Sequence, residues 1–311
     1  MLVTVITLVS MLLLNPARTE AKMQQYPRLP AAGRHDRVLI VAPHIDDEAI
    51  GAGGYAIDAI ANGAEVFVVF LTAGDCNRFS ARLMHRTLEP TTSNYLAVGR
   101  TRISEARDAM HILGLAPDHY FVLGYPDRGL RSMMENRNAI VRSLGTGETS
   151  VPYGDAVSPG ALYNYASLMS DIKKIIDFTR PTMVIAPVPF DLHPDHTAAA
   201  QITDEALDQV SLRPSRLGYL VHAGRMTTAL MSTPTRALLP PSRMQAFSWT
   251  TYGLSDQVQQ KKTEVLLTYK SQRPYLFLLR NRFIRRNELF FQYPQLGAAP
   301  LASAPRHPIA R

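Results

Sequence analysis

The chain has 311 residues, a formal charge of 33 − 26 = +7 and 46% hydrophobic content. That is enough for a buried core in one large or two small domains, and 19% charged with 8% aromatic residues excludes a disordered or collagen-like chain. No apolar run reaches the roughly 18 residues of a membrane-crossing helix, and the single Cys76 excludes an internal disulfide or a Cys-rich zinc site.

Residues 1–36 read as a leader and linker. The stretch LVTVITLVSMLLL (2–14) is uncharged and ends at Asn15-Pro16, which is the length of a signal-peptide core. No Lys or Arg precedes it, no clean A-x-A site follows, and Arg18, Lys22, Arg28, Arg34 and Arg37 lie downstream. A membrane anchor with a cytoplasmic domain fits those flanks, whereas a signal peptide would imply an upstream start. The expectation is an exported or membrane-associated protein, with a cytoplasmic one as the alternative.

From there short apolar runs alternate with longer helical patterns. Strands are expected at 37–42, 65–71, 120–123, 182–186 and 217–222, and helices at 47–62, 94–113, 162–179 and 197–210. Near-continuous apolar strands separated by helices predict an α/β three-layer sandwich with a Rossmann-like, mostly parallel sheet. Ligands of such sheets bind beyond the carboxyl ends of the strands. The stretches 145–160 and 230–248 are rich in Gly, Ser, Thr and Pro and read as loops. The core is assigned to 37–272. Residues 273–311 carry seven arginines against Glu288, a net +6, and read as a basic extension able to meet anionic lipid or an acidic polymer. No nucleic-acid-binding module is present in the pattern.

The chemistry concentrates after two of the strands. Pro43-His44-Ile45-Asp46-Asp47-Glu48 follows the first, and a His with acids at +2, +3 and +4 is expected by chance only about 0.005 times in this composition. Helix capping explains one or two of the acids but neither the His nor the crowding, which asks for a cation. After the fourth strand, Asp191-Leu192-His193-Pro194-Asp195-His196 begins a helix on whose first turn His193 and His196 share a side. Two His and one Asp with an open position suit catalytic zinc, and the same set describes a non-haem iron triad. Zinc is favoured because iron oxygenases of that type sit on β barrels. Gly51, Gly53 and Gly54 do not form a nucleotide fingerprint, Tyr219 and His222 read as strand packing, and Trp249 reads as core.

PHIDDEAIGAGG (43–54) with HPDHTA (193–198) resembles the PIG-L, or LmbE-like, family of zinc-dependent N-acetylglucosaminyl deacetylases. Weaker likenesses are Arg102-Ile-Ser-Glu105, Leu123-Gly-Tyr-Pro-Asp127, Leu220-Val-His-Ala223 and Lys262 through Gln272, so the resemblance spans 37–272. Ile45 stands where the family most often has Pro. The resemblance implies His44, Asp47 and His196 as ligands of Zn2+ (or Fe2+ or another divalent metal), and Asp46 as the general base. It implies His193 as oxyanion stabiliser or acid, Asp195 as the carboxylate orienting the His193 ring, and Glu48 as support at the helix start. Arg102 and Asp127 match positions that contact sugar hydroxyls in relatives. The implied substrate is an N-acetylglucosamine-containing glycoconjugate.

Overall fold

The structure is a computed structural model, described here over residues 16–223, 235–272 and 283–293. The apolar stretch 2–14, part of the 230–248 loop and most of the basic C-terminal stretch lie outside the described residues. Among the described residues seven strands form one sheet: β1 (Arg37–Ala42), β2 (Glu65–Thr72), β3 (Tyr120–Tyr125), β4 (Met183–Pro187), β5 (Ser215–Tyr219), β6 (Trp249–Gly253) and β7 (Asn287–Gln292). Their order is β3-β2-β1-β4-β5-β7-β6. The first five pair in parallel; β7 runs antiparallel to β5, and β6 to β7.

Among the described residues eight α-helices accompany the sheet: α1 (Pro16–Met23), α2 (Asp47–Ala61), α3 (Arg78–His85), α4 (Thr92–Leu113), α5 (Leu130–Glu135), α6 (Tyr165–Thr179), α7 (Pro194–Gln209) and α8 (Asp256–Thr268). α2, α4 and α8 pack on one another, and α5 and α6 each pack on α7, which makes two helical layers around the sheet. β1, β2 and β4 are buried almost end to end, the expected result for strands covered on both faces. No helix of the described residues is long and apolar enough to cross a membrane.

Strand order positions the site. β1 lies between β2 and β4, so the connections leaving β1 and β4 diverge to opposite sides and open a crevice at their carboxyl ends. Ile40 pairs with Ile185, which brings the PHIDDE turn after β1 next to the HPDH turn after β4. α2 can approach this edge closely because its motif is glycine-rich. A Cβ on Gly51 would lie 2.4 Å from the Tyr219 ring, and one on Gly54 would lie 2.5 Å from Leu254.

The sheet does not end at residue 272, where the core was expected to stop. Asn287–Gln292, inside the stretch expected as a basic extension, is β7, and its Glu288 is buried. The Glu288 carboxylate accepts from the Gly54 N–H (2.7 Å), the Tyr55 N–H (2.8 Å) and Lys262 Nζ (2.6 Å). Lys262 Nζ also donates to the Ile50 carbonyl (3.0 Å). A buried ion pair therefore grips both ends of one rung of α2, tying the last strand and α8 to the helix that carries the site. β5 is also shorter than expected, closing at Tyr219. The N–H groups of Val221 and His222 turn to the Asp191 carboxylate, at 3.0 Å each, and leave the ladder. Tyr219 and Trp249 are buried as packing residues, while His222 belongs to the site.

Candidate metal centre

Asp47 Oδ2 is the hub. It accepts from the His44 N–H and lies 3.0 Å from His44 Nδ1 and 3.1 Å from His196 Nε2. Donors around one tetrahedral zinc ion stand roughly 3.3 Å apart, given bonds of about 2.0–2.1 Å. His196 is fully buried, and its Nδ1 lies 3.3 Å from Asp191 Oδ2, yet neither ring nitrogen has a well-directed hydrogen bond. A buried imidazole between two carboxylates without hydrogen-bond geometry is a ring set for another partner. Three overlapping groups have mutually close donor atoms and could hold an ion: His44, His193 and His196; Asp191, His196 and His222; and His44, Asp127 and Asp195.

The electrostatics agree with a cation-seeking centre. Burial works against charging His196, but Asp47 and Asp191 reverse that and raise its pKa to about 9. His44 shows the same balance, with burial outweighed by Asp127, Asp195 and Asp47, and ends well above the usual range. Burial likewise opposes ionisation of Asp47, and His196 and His44 overcome it, holding the carboxyl well below its usual value. Two protonated imidazoles around ionised carboxylates supply positive charge that a divalent ion would replace on binding, with release of protons.

Asp46 is different. It caps α2 with φ of 121°, a conformation that non-glycine residues adopt only when their surroundings impose it. Arg102 supplies part of that imposition: its guanidinium donates to the Ile45 carbonyl and, at 3.1 Å, to the Gly74 carbonyl, and lies 3.6 Å from Asp46 Oδ1. Burial raises the Asp46 pKa to about 7 against the opposing pull of Arg102. Glu48, raised to about 8 by burial, accepts from the Tyr269 hydroxyl and the Asp46 N–H and so holds the turn from beneath.

His193 caps α7, its Nδ1 accepting from the Asp195 N–H at 3.2 Å. That bond leaves Nε2 as the protonated nitrogen of the neutral ring. Burial, with the charges of His44 and His196, lowers its pKa to about 4, so it is neutral at pH 7. The expectation that the Asp195 carboxylate orients His193 needs correction. It is the main-chain N–H that meets the ring, whereas the carboxylate accepts from Arg128 N (2.6 Å) and Leu130 N (3.2 Å) and lies 3.3 Å from His44 Nε2. Being on the first turn of α7, the Asp195 side chain points away from its own N-cap and toward the turn after β3.

Asp127 reaches the site, with Oδ1 3.4 Å from His44 Nε2 and Oδ2 accepting from the Cys76 N–H at 2.9 Å. Arg102 is buried among main-chain carbonyls and Asp46. Three residues without an expected role also belong here. Asp191 links His196, the His193 N–H and the 221–222 turn. The His222 ring centroid is 4.7 Å from that of His196 and 5.2 Å from that of His193. Asp75 is buried after β2, one oxygen accepting from Tyr153 and the other without a partner. A signal existed for Asp191, which stands two residues before His193; none distinguished Asp75 from an ordinary turn residue.

A doubly wound sheet with a His/Asp cluster at its topological switch point defines an α/β protein with a candidate metal site. The chain matches the PIG-L family, GlcNAc-PI de-N-acetylase, over residues 39–207, more than half its length, and belongs to that family. It is 28% identical over 207 residues to the 1D-myo-inositol 2-acetamido-2-deoxy-alpha-D-glucopyranoside deacetylase of Mycobacteroides abscessus. That match covers 66% of each chain, so about a third of the relative lies outside it. Among solved structures, a deacetylase of the teicoplanin biosynthesis pathway shares the fold with a TM-score of 0.54 at 18% identity, covering 85% of this chain and 100% of that one. A conserved protein from Thermus thermophilus does so with a TM-score of 0.51 at 21% identity, covering 86% and 100%.

Proposed function

We propose that the protein is a zinc-dependent hydrolase that removes the N-acetyl group from an N-acetylglucosamine-containing glycoconjugate. The observation that carries this reading is Asp46, a buried carboxyl with a pKa of about 7, standing beside Asp47 and its two histidines. Family membership and the named activity of the Mycobacteroides relative support the amide substrate.

His44, Asp47 and His196 would hold the ion, and their nitrogen and carboxylate donors without thiolate suit a catalytic zinc site. A zinc ion held there would supply a water of lowered pKa, about 7, and a Lewis acid for the acetamide carbonyl. Asp46 takes the proton from the attacking water, a role that needs a carboxylate ionised near neutral pH. His193, neutral and with Nε2–H free to donate, stabilises the charge developing on the carbonyl oxygen. The proton held by Asp46 then passes to the departing amine, giving acetate and a free amino sugar. Asp191, with Oδ2 3.3 Å from His196 Nδ1, stands where a carboxylate behind a ligating imidazole would orient the ring once Nε2 holds an ion. Asp127 and Arg102 line the same crevice, with Asp127 the better placed to meet a sugar hydroxyl.

The test is acetate release by the zinc-loaded protein over a panel of N-acetylglucosamine conjugates. Asp46→Asn is expected to keep bound zinc and lose roughly 10²–10⁴ of the rate, while His44→Ala loses both. Full turnover by Asp46→Asn would refute the base assignment, and silence across the panel after chelation and zinc reloading would refute the activity.

A further inference from the structure

α3 is an inverted helix. An amphipathic helix of a globular protein turns its large apolar residues to the core. Here Ser80 and Ala81 are the buried residues, while Phe79 is 45% exposed, Leu83 57% and Met84 37%. Just beyond the helix Leu88 is 80% exposed. A projecting cluster of large apolar side chains is informative in a way that one exposed leucine is not.

The charges around it point to the occupant. Arg78, Arg82 and Arg86 alternate with the apolar residues against a single acid, Glu89, so residues 77–90 carry 3 − 1 = +2. Glu89 pairs with Arg78 at 2.9 Å and Arg82 at 3.6 Å, which holds these arginines beside the apolar tips. Apolar side chains ringed by arginines whose stems are themselves apolar match the chemistry of an anionic bilayer surface, tails below and phosphates at headgroup level.

The attachment of α3 to the protein is firm. Asn77 caps it by accepting from the Ser80 N–H at 3.1 Å, and the Asn77 amide donates to Gln272 at 3.0 Å. Ser80 donates to the Ser271 carbonyl at 2.9 Å. One residue earlier the Cys76 N–H is bound to Asp127 of the candidate site. The outward face of α3 is thus a rigid projection beginning beside the crevice.

We propose that the outward face of α3, with Leu83 and Leu88 at its centre and Arg78, Arg82 and Arg86 around them, is a docking surface for anionic membranes. This docking stands apart from the hydrolytic reading and is tested without turnover. Leu83→Cys is made in the full chain with Cys76→Ser and labelled with the polarity-sensitive fluorophore NBD. Vesicles of phosphatidylcholine with phosphatidylglycerol are expected to shift its emission to the blue and brighten it several-fold. Phosphatidylcholine alone should do much less, and salt should reverse the effect. Leu83→Glu with Leu88→Glu, otherwise folded by circular dichroism, should float less with the anionic vesicles than the parent chain.

No spectral change with anionic vesicles overturns the proposal, as does an equal response to both lipids. So does a label already blue-shifted without lipid. In that case either a second copy covers the face, giving a concentration-dependent shift, or residues 273–282 of the same chain do, giving a concentration-independent one.

Discussion

Replacing Arg102 by Met isolates the electrostatic part of the proposed base. Arg102 is the largest opposing influence on an Asp46 carboxyl that burial raises to about 7, and it lies 3.6 Å away. At that separation two unit charges interact by roughly 5 kcal/mol at an effective dielectric of about 20, an upper bound. An arginine beside an aspartate commonly moves its pKa by about 1–3 units. Loss of the guanidinium should therefore raise the Asp46 midpoint by about 1.5 units. Because the ionised form is the base, activity rises with pH, and the variant's rise must come at higher pH. The expected result is a deficit that approaches about 30-fold below the parent's midpoint and closes above the variant's. The shift between the two enzymes is the quantity to measure in kcat against pH, since a bound cation lowers both midpoints alike. Arg102→Lys serves as the control. It keeps the charge while giving up the paired contacts to Ile45 and Gly74, so its midpoint should stay in place even where its rate falls. An Arg102→Met enzyme slowed equally at every pH would show that Arg102 serves only the shape of the turn, and the electrostatic argument would fail.

Asp191→Asn should weaken metal binding about 10–100-fold, measured by competition with a chelating dye, because His196 loses the carboxylate behind it. Unchanged affinity would remove Asp191 from the centre. Lys262→Met strands the buried Glu288 carboxylate and should cost about 3–5 kcal/mol in urea unfolding, with much of it recovered when Glu288→Gln is added. A single variant of native stability would show that the pair is not what holds α2. Gly51→Ala forces a methyl onto the Tyr219 ring and should cost about 1–3 kcal/mol in the same assay, with a neutral result indicating that the helix can retreat.

Much of the sheet was legible because β1, β2 and β4 are buried on both faces and therefore written as unbroken apolar runs. β7 was not, because its first two residues are Asn287 and Glu288, and only the fold reveals that Lys262 neutralises the acid inside the core. β5 looked longer than it is, since nothing local says that Asp191, far away along the chain, draws Val221 and His222 out of the ladder. The two motifs of the site were legible for a chemical reason, namely that three acids and a histidine in one turn need a counter-charge. The partner of each carboxylate was not. Asp191 precedes His193 and Asp195 lies between His193 and His196 in the sequence, and only the fold decides that Asp191 backs His196 while Asp195 reaches across to His44. The short helix α3 was not among the expected elements, and nothing local to Leu83 and Met84 says that the neighbouring Ser80 and Ala81 are the residues that pack.

The grip of Glu288 on the Gly54 and Tyr55 amides spans more than 230 positions of chain. During synthesis, α2 therefore emerges from the ribosome long before the group that completes it. Its amides at Gly54 and Tyr55 wait for Glu288 of β7, and the carbonyl of Ile50 waits for Lys262 of α8. Such distant pairings are slow to form. A chain interrupted before β7 would possess every residue of the candidate metal centre and still lack the clamp beneath it, so assembly of that centre is coupled to synthesis of β7.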